Sequence, residues 1–223
     1  MKKTLALLVV IVLAGTFAFN VQAQDEKTSS SWDTGLDIYS SYIWRGAKFG
    51  SGPAFQPYVE YSTGGFALGA WGSVSSSTDE SLEMDLYASY SAGPVSFTLT
   101  DYYFGGDWTK YSMNHYLEPS VGISAGDFSF TGAYMFLPET GTESFGASGD
   151  TYLEAGYSFS HVDLTLGAGD GQYTDNGDFN ICNITVGTSK EVKLSETFSL
   201  PVSGSVTLNP STGGFFIAVG LSL

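Results

Sequence analysis

The chain has 223 residues, with 8 Lys+Arg against 23 Asp+Glu and a formal charge of −15. Its 28 Gly, 16 Phe, 14 Tyr and 4 Trp make it too aromatic and apolar for a disordered chain. The acidic balance argues against a nucleic-acid partner, which would require a basic stripe. One cysteine, Cys182, excludes an internal disulfide framework and a cysteine-cluster metal site.

Residues 1–23 read as a secretory signal peptide. Lys2 and Lys3 precede an apolar run from Leu5 to Gly15, and Val21-Gln22-Ala23 offers small side chains for cleavage. The run is shorter than the ~20 residues of a spanning helix. Residues 24–33 read as a short lead-in, and 34–223 as a single domain.

Period-two alternation governs that domain. Phe66, Leu68, Ala70, Gly72 and Val74 alternate with Ala67, Gly69, Trp71 and Ser73; Leu82, Met84 and Leu86 alternate with Glu83, Asp85 and Tyr87. Marking each such run predicts about twelve strands. They span 34–44, 53–62, 66–75, 82–91, 95–104, 114–124, 128–136, 150–159, 162–169, 179–189, 197–208 and 214–223. About 60% strand exceeds what ordinary globular domains carry. Ten tilted residues, however, rise ~25 Å, the height of an outer-membrane apolar band.

Connections alternate too. Tight turns are expected at Thr63-Gly64-Gly65, Ala92-Gly93-Pro94, Ala125-Gly126-Asp127 and Ser160-His161. Longer polar loops are expected at 45–52, 75–81, 105–113, 137–149 and 170–178, while a charged turn at 190–196 breaks the pattern. The expectation is an all-β, transmembrane, antiparallel up-and-down barrel of about 12 strands in the bacterial outer membrane. A secreted β-sandwich is the rival architecture. Aromatics near strand ends, Tyr42, Trp44, Tyr61, Phe66, Tyr103, Tyr116, Phe136, Phe159 and Phe215, suit interfacial girdles.

Several segments resemble the TorF family of porins. Ser41-Tyr42-Ile43-Trp44-Arg45-Gly46 with Pro53-Ala54-Phe55-Gln56-Pro57 is similar to that family's opening. Gly65 to Ser73, with its Trp71-Gly72-Ser73 ending, and Glu83 to Tyr90 also resemble it. So do Tyr116-Leu117-Glu118-Pro119 and Tyr152 to Tyr157. The resemblance covers roughly residues 35–160 and implies a Gram-negative outer-membrane porin, with no established substrate or catalytic residue. Leu223 departs from the aromatic C-terminus that barrel-insertion machinery usually reads.

If the apolar faces meet lipid, the opposite faces line the lumen. The pore-lining candidates are Asp37, Arg45, Glu60, Glu83, Asp85, Glu118 and Glu154, with Asp163 beside them. A wet acidic lumen favours cationic or neutral small solutes. The competing reading is a plug in which these carboxylates bond Tyr58, Tyr87, Tyr116, Tyr152 and Arg45, filled out by Trp71. Arg45 is either a constriction residue or a structural partner of Glu60 or Glu83.

A structural or adhesive barrel and a lipid-modifying enzyme are the other functional classes. His115 and His161 are the candidate bases for the latter, but no Gly-x-Ser-x-Gly elbow accompanies them. Asp170, Asp175, Asn176 and Asp178 suggest calcium ligands without EF-hand spacing, so a solvated loop is expected there. No cofactor and no metal are expected. The expected partners are outer-membrane lipids, small solutes and, during biogenesis, the barrel-insertion machinery.

Overall fold

The computed structural model describes residues 30–75, 82–136 and 149–223. The segment expected as a signal peptide, most of the expected lead-in, and residues 76–81 and 137–148, where long loops are expected, lie outside the described residues. Twelve strands form the barrel wall: β1 (Ser31–Tyr39), β4 (Ala54–Thr63), β5 (Phe66–Ser75), β6 (Leu82–Ala92), β7 (Val95–Tyr103) and β8 (His115–Ala125), followed by β9 (Phe128–Met135), β10 (Asp150–Ser158), β11 (Asp163–Gly169), β12 (Asn180–Lys193), β13 (Ser199–Asn209) and β14 (Gly214–Ser222). Each wall strand pairs antiparallel with its neighbour in sequence, and β1 closes the ring by pairing β14 as well as β4. Closure matters because it leaves no unpaired edge.

The expected strand pattern is the one observed, except at the start and at 190–196. The first strand was expected over 34–44; the wall strand is 31–39, so it takes in the end of the lead-in. The chain breaks at Ser40-Ser41, and β2 (Tyr42–Trp44) pairs β3 (Ala47–Phe49) in a separate hairpin. The charged segment expected as a turn at 190–196 also differs. β12 runs on to Lys193, and the turn follows at 194–198.

The burial pattern is inverted relative to a water-soluble protein. Ile217 is 60% exposed and Leu99 46%, whereas Gln56 and Glu118 are 1% exposed. Apolar residues at alternate wall positions point outward; their partners point into the lumen. Hydrocarbon is the solvent in which such a surface costs nothing, and the fold is that of a membrane-spanning barrel.

Tight turns gather at one rim. Gly64 and Gly65 join β4 to β5, both at positive φ, the conformation that a two-residue hairpin loop demands. The opposite rim carries the segment 104–114, which includes α1 (Tyr111–Asn114), and the loop 170–179. Of the aromatics expected in girdles, Phe66, Phe136, Phe159 and Phe215 are exposed on the outside. Tyr42, Trp44 and Tyr116 are buried instead. The first two belong to the hairpin and the third faces inward on β8.

Candidate functional site: the lumen and its hairpin plug

The β2–β3 hairpin folds into the long-loop half of the lumen because its aromatic side chains have partners there. Tyr42 meets Trp71 at 5.6 Å between ring centroids, and Trp44 meets Tyr102 at 5.8 Å and Tyr173 at 5.7 Å. The hairpin turns at Arg45-Gly46. Arg45 has φ +48, the one non-glycine residue at positive φ among the described residues. Gly46, at φ +82, lies so close to β12 that a Cβ there would run into the Cys182 carbonyl oxygen. Cys182 is itself buried at a register irregularity where β11 pairs β12.

Arg45 is the centre of the plug. Its guanidinium donates to both oxygens of Glu118, at 2.7 and 2.8 Å, and to the Tyr173 hydroxyl at 2.6 Å. The ring of Trp44 lies 4.5 Å from its Cζ and that of Tyr152 4.4 Å. A planar fork matched to a carboxylate and stacked by aromatics is a geometry Lys cannot reproduce. The partner differs from the sequence expectation of Glu60 or Glu83. Those two stand on strands near the hairpin's root, whereas its tip reaches across to β8.

Five of the seven candidate residues converge around the hairpin. Glu118 also accepts from Tyr102 at 3.1 Å. Glu154 accepts from Tyr152 at 2.5 Å and from Asn183 at 3.2 Å. Glu83 accepts from the hairpin's Tyr42 at 3.3 Å, and Asp85 is buried beside it with one carboxylate oxygen unpartnered among the described residues. Glu60 and Asp37 stay outside this group, half-buried; Glu60 accepts from Tyr87 at 3.0 Å. Tyr58 and Tyr87 therefore do not join Arg45 in the plug, and Tyr116 packs against Phe104 at 5.5 Å. Sequence reasoning missed Tyr102, Asn183 and Tyr173. Alternation through Thr98 and Thr100 pointed Tyr102 inward; Tyr173 lies in a loop, where no period applies.

The tight-turn half of the lumen is lined by small side chains, among them Ser89, Ser96, Ser129, Thr131 and Thr165, on inward-facing registers. Tyrosines here and above lie over cross-strand glycines. Tyr58 covers Gly35, Tyr87 covers Gly69 and Tyr39 covers Gly220, each so closely that a Cβ on the glycine would collide with the ring. The glycines thus let rings lie flat along the wall rather than project across it.

A second cluster stands outside the lumen, at the long-loop rim. His115 is fully buried on the outward register of β8 under Trp108 and Tyr111. Its Nδ1 is 3.0 Å from both Asp101 oxygens and its Nε2 3.0 Å from the Trp108 carbonyl oxygen. Tyr111 stacks on it at 4.0 Å and donates to Asp101 at 2.6 Å, a bond that pushes the Tyr111 phenol up to about 12. Asp101 was not foreseen. His161 lies in an exposed turn, where its carbonyl accepts from Thr188. In the loop after β11, Asp170 accepts the Thr151 N–H and Asn176 accepts the Asp178 N–H, so these oxygens organise turns.

A family model described as a bacterial protein of unknown function (Gcw_chp) matches residues 23–199. The chain belongs to that family. No curated protein matches the chain. Among solved structures, a mutant of Rh. blastica porin aligns at 17% identity and TM-score 0.41, over 76% of this chain and 55% of the porin. The chain thus spans about half the length of that porin. The Salmonella typhi outer membrane phospholipase dimer with bound calcium aligns at 10% identity and TM-score 0.42, over 96% and 95% of the two chains. Outer membrane phospholipase A from Escherichia coli aligns at 11% and 0.42, over 97% and 95%. At this level the likeness carries no functional argument.

Proposed function

We propose that the chain is an outer-membrane, porin-like channel for passive diffusion of small cationic or neutral solutes, narrowed by the β2–β3 hairpin. Export by a cleaved signal peptide at 1–23 is part of the same reading. One observation carries it. The inward wall presents Glu60, Glu83, Asp85, Glu118 and Glu154, while the chain's only arginine is bound to one of them. An acidic, water-lined passage raises the local concentration of cations and lowers that of anions. The resemblance to the TorF porins supports the channel class; the family that residues 23–199 match is described without a function.

The reading gives the protein no catalytic role. Both ring nitrogens of His115 are engaged, one by Asp101 and one by a main-chain carbonyl, so neither is left to take a proton from a nucleophile. His115→Ala is therefore expected to leave a phospholipase assay at background. A non-conducting structural barrel is the second reading, favoured by the bonded contact between Arg45 and Glu118 across the lumen.

Liposome swelling with the refolded protein tests the proposal, using sugars, neutral amino acids and diamines of graded size. Swelling that is fastest for small diamines supports it. Swelling no faster than that of protein-free vesicles for every solute would establish the structural reading instead.

A further inference from the structure

Three polar atoms without a partner among the described residues lie on the inner wall of β5, β6 and β7. They are Trp71 Nε1, Asp85 Oδ1 and Thr100 Oγ1, and their residues are 7%, 6% and 2% exposed. Trp71 and Asp85 are direct cross-strand partners, and Asp85 in turn pairs Tyr102, which puts Thr100 on the diagonal from Asp85. Trp71 and Thr100 thus each stand within about 4.5–8 Å of Asp85, one on either side. Glu83 is two residues along the same inward face, with Tyr42 of the hairpin donating to it.

Buried polar atoms in folded proteins are almost always bonded, and buried carboxylates are almost always matched by a positive group. Glu118 has Arg45. Among the described residues Glu83 and Asp85 have no such match: Lys48, the next basic residue along the hairpin, is exposed. Two carboxylates and a hydroxyl fall short of the 6–8 oxygens a calcium ion takes, and among the described residues no group of three His, Cys, Asp or Glu side chains is placed to hold a metal. The same acceptors fit the three N–H donors of a primary ammonium. The tilted faces of Tyr42 and Trp71 add an attraction for a cation. The indole N–H supplies one donor, which suits an oxygen on the same solute.

We propose that Asp85, Glu83 and Thr100, with Trp71 and Tyr42, form a binding subsite for small primary amines, tightest for those with a hydroxyl a few atoms from the nitrogen. The subsite rests on the channel reading and names its preferred solute class. It lies at the seam between hairpin and wall, so a solute that occupies it breaks the Tyr42–Glu83 bond and loosens the plug from within.

Isothermal titration of the refolded full-length protein in detergent micelles tests this with 3-amino-1-propanol, propylamine and 1-propanol. Saturable binding is expected for both amines and none for the alcohol. The amino alcohol should bind about fivefold more tightly than propylamine, the worth of one hydrogen bond. Asp85→Asn should weaken amine binding by about tenfold or more. Thr100→Val, nearly isosteric, should weaken it about threefold or more and serves if Asp85→Asn does not fold. Absence of saturable amine binding to the wild type, or unchanged binding in folded Asp85→Asn or Thr100→Val protein, overturns the subsite. Conductance without amine binding refutes the subsite and spares the channel. Amine binding without conductance does the reverse.

Discussion

The two halves of the lumen solve the same packing problem in opposite ways. Toward the long-loop rim, the space inside the wall is filled by a hairpin whose Arg45 bonds Glu118 on the far side. Toward the tight-turn rim it is left to serines, threonines and glycines, with tyrosines laid flat over the wall. The wall strands of both halves obey one alternation rule. The difference arises from a single break at Ser40-Ser41 that diverts eight residues inward. A barrel of this size therefore gains its interior from a few local choices rather than from its overall pattern.

The contrast predicts where substitutions hurt. Arg45→Ala should have the largest effect, because it leaves Glu118 buried without its cation; breaking a buried pair costs about 3–5 kcal/mol. Urea unfolding in lipid vesicles measures that loss, and the same variant should show a raised conductance as the hairpin loosens. Gly46→Ala should cost about 1–3 kcal/mol by forcing a side chain into a left-handed turn against the Cys182 carbonyl. If it proves neutral, the hairpin tip does not press on β12.

Changes in the open half should be milder. Tyr87→Phe removes the bond to Glu60 and should cost about 1 kcal/mol in the same unfolding assay. Glu60→Gln should cost less than about 1 kcal/mol and act mainly on selectivity. Its cation preference, read from reversal potentials, should fall at low salt and match wild type near 1 M, where screening is complete within about 3 Å. An effect of Glu60→Gln on stability as large as that of Arg45→Ala would erase the distinction between the halves.

The wall was legible because a strand repeats every two residues and one of its faces must suit hydrocarbon. Leu82, Met84 and Leu86 announce an outward face as plainly as Glu83 and Asp85 announce an inward one. The plug was half legible. Its carboxylates and Trp71 lie on regular strands, so their direction follows from the count of residues. Tyr42 and Trp44 alternate like wall residues, so the sequence alone places them at the end of the first strand. Nothing local distinguishes a strand that continues from one that turns inward at two serines. The Arg45–Glu118 pairing joins residues 73 apart in sequence, and it depends on the hairpin's path across the lumen. His115 stood out in the sequence without its partner: Asp101 is its diagonal neighbour across β7 and β8, a register that alternation alone does not set, and Trp108 and Tyr111 cover the pair from outside the wall.

Tyr39 and Ala54 are direct register partners at the ends of β1 and β4. The hairpin can therefore be excised and the two strands joined by a two-residue Asn-Gly turn without disturbing the wall. Single-channel recording in planar bilayers, with a salt gradient across the membrane, compares this shortened chain with the full one. A larger conductance that still prefers cations is the predicted result. Equal conductance in the two chains, or a preference for anions in the shortened one, would contradict the assignment of the hairpin as the restriction in an acidic passage.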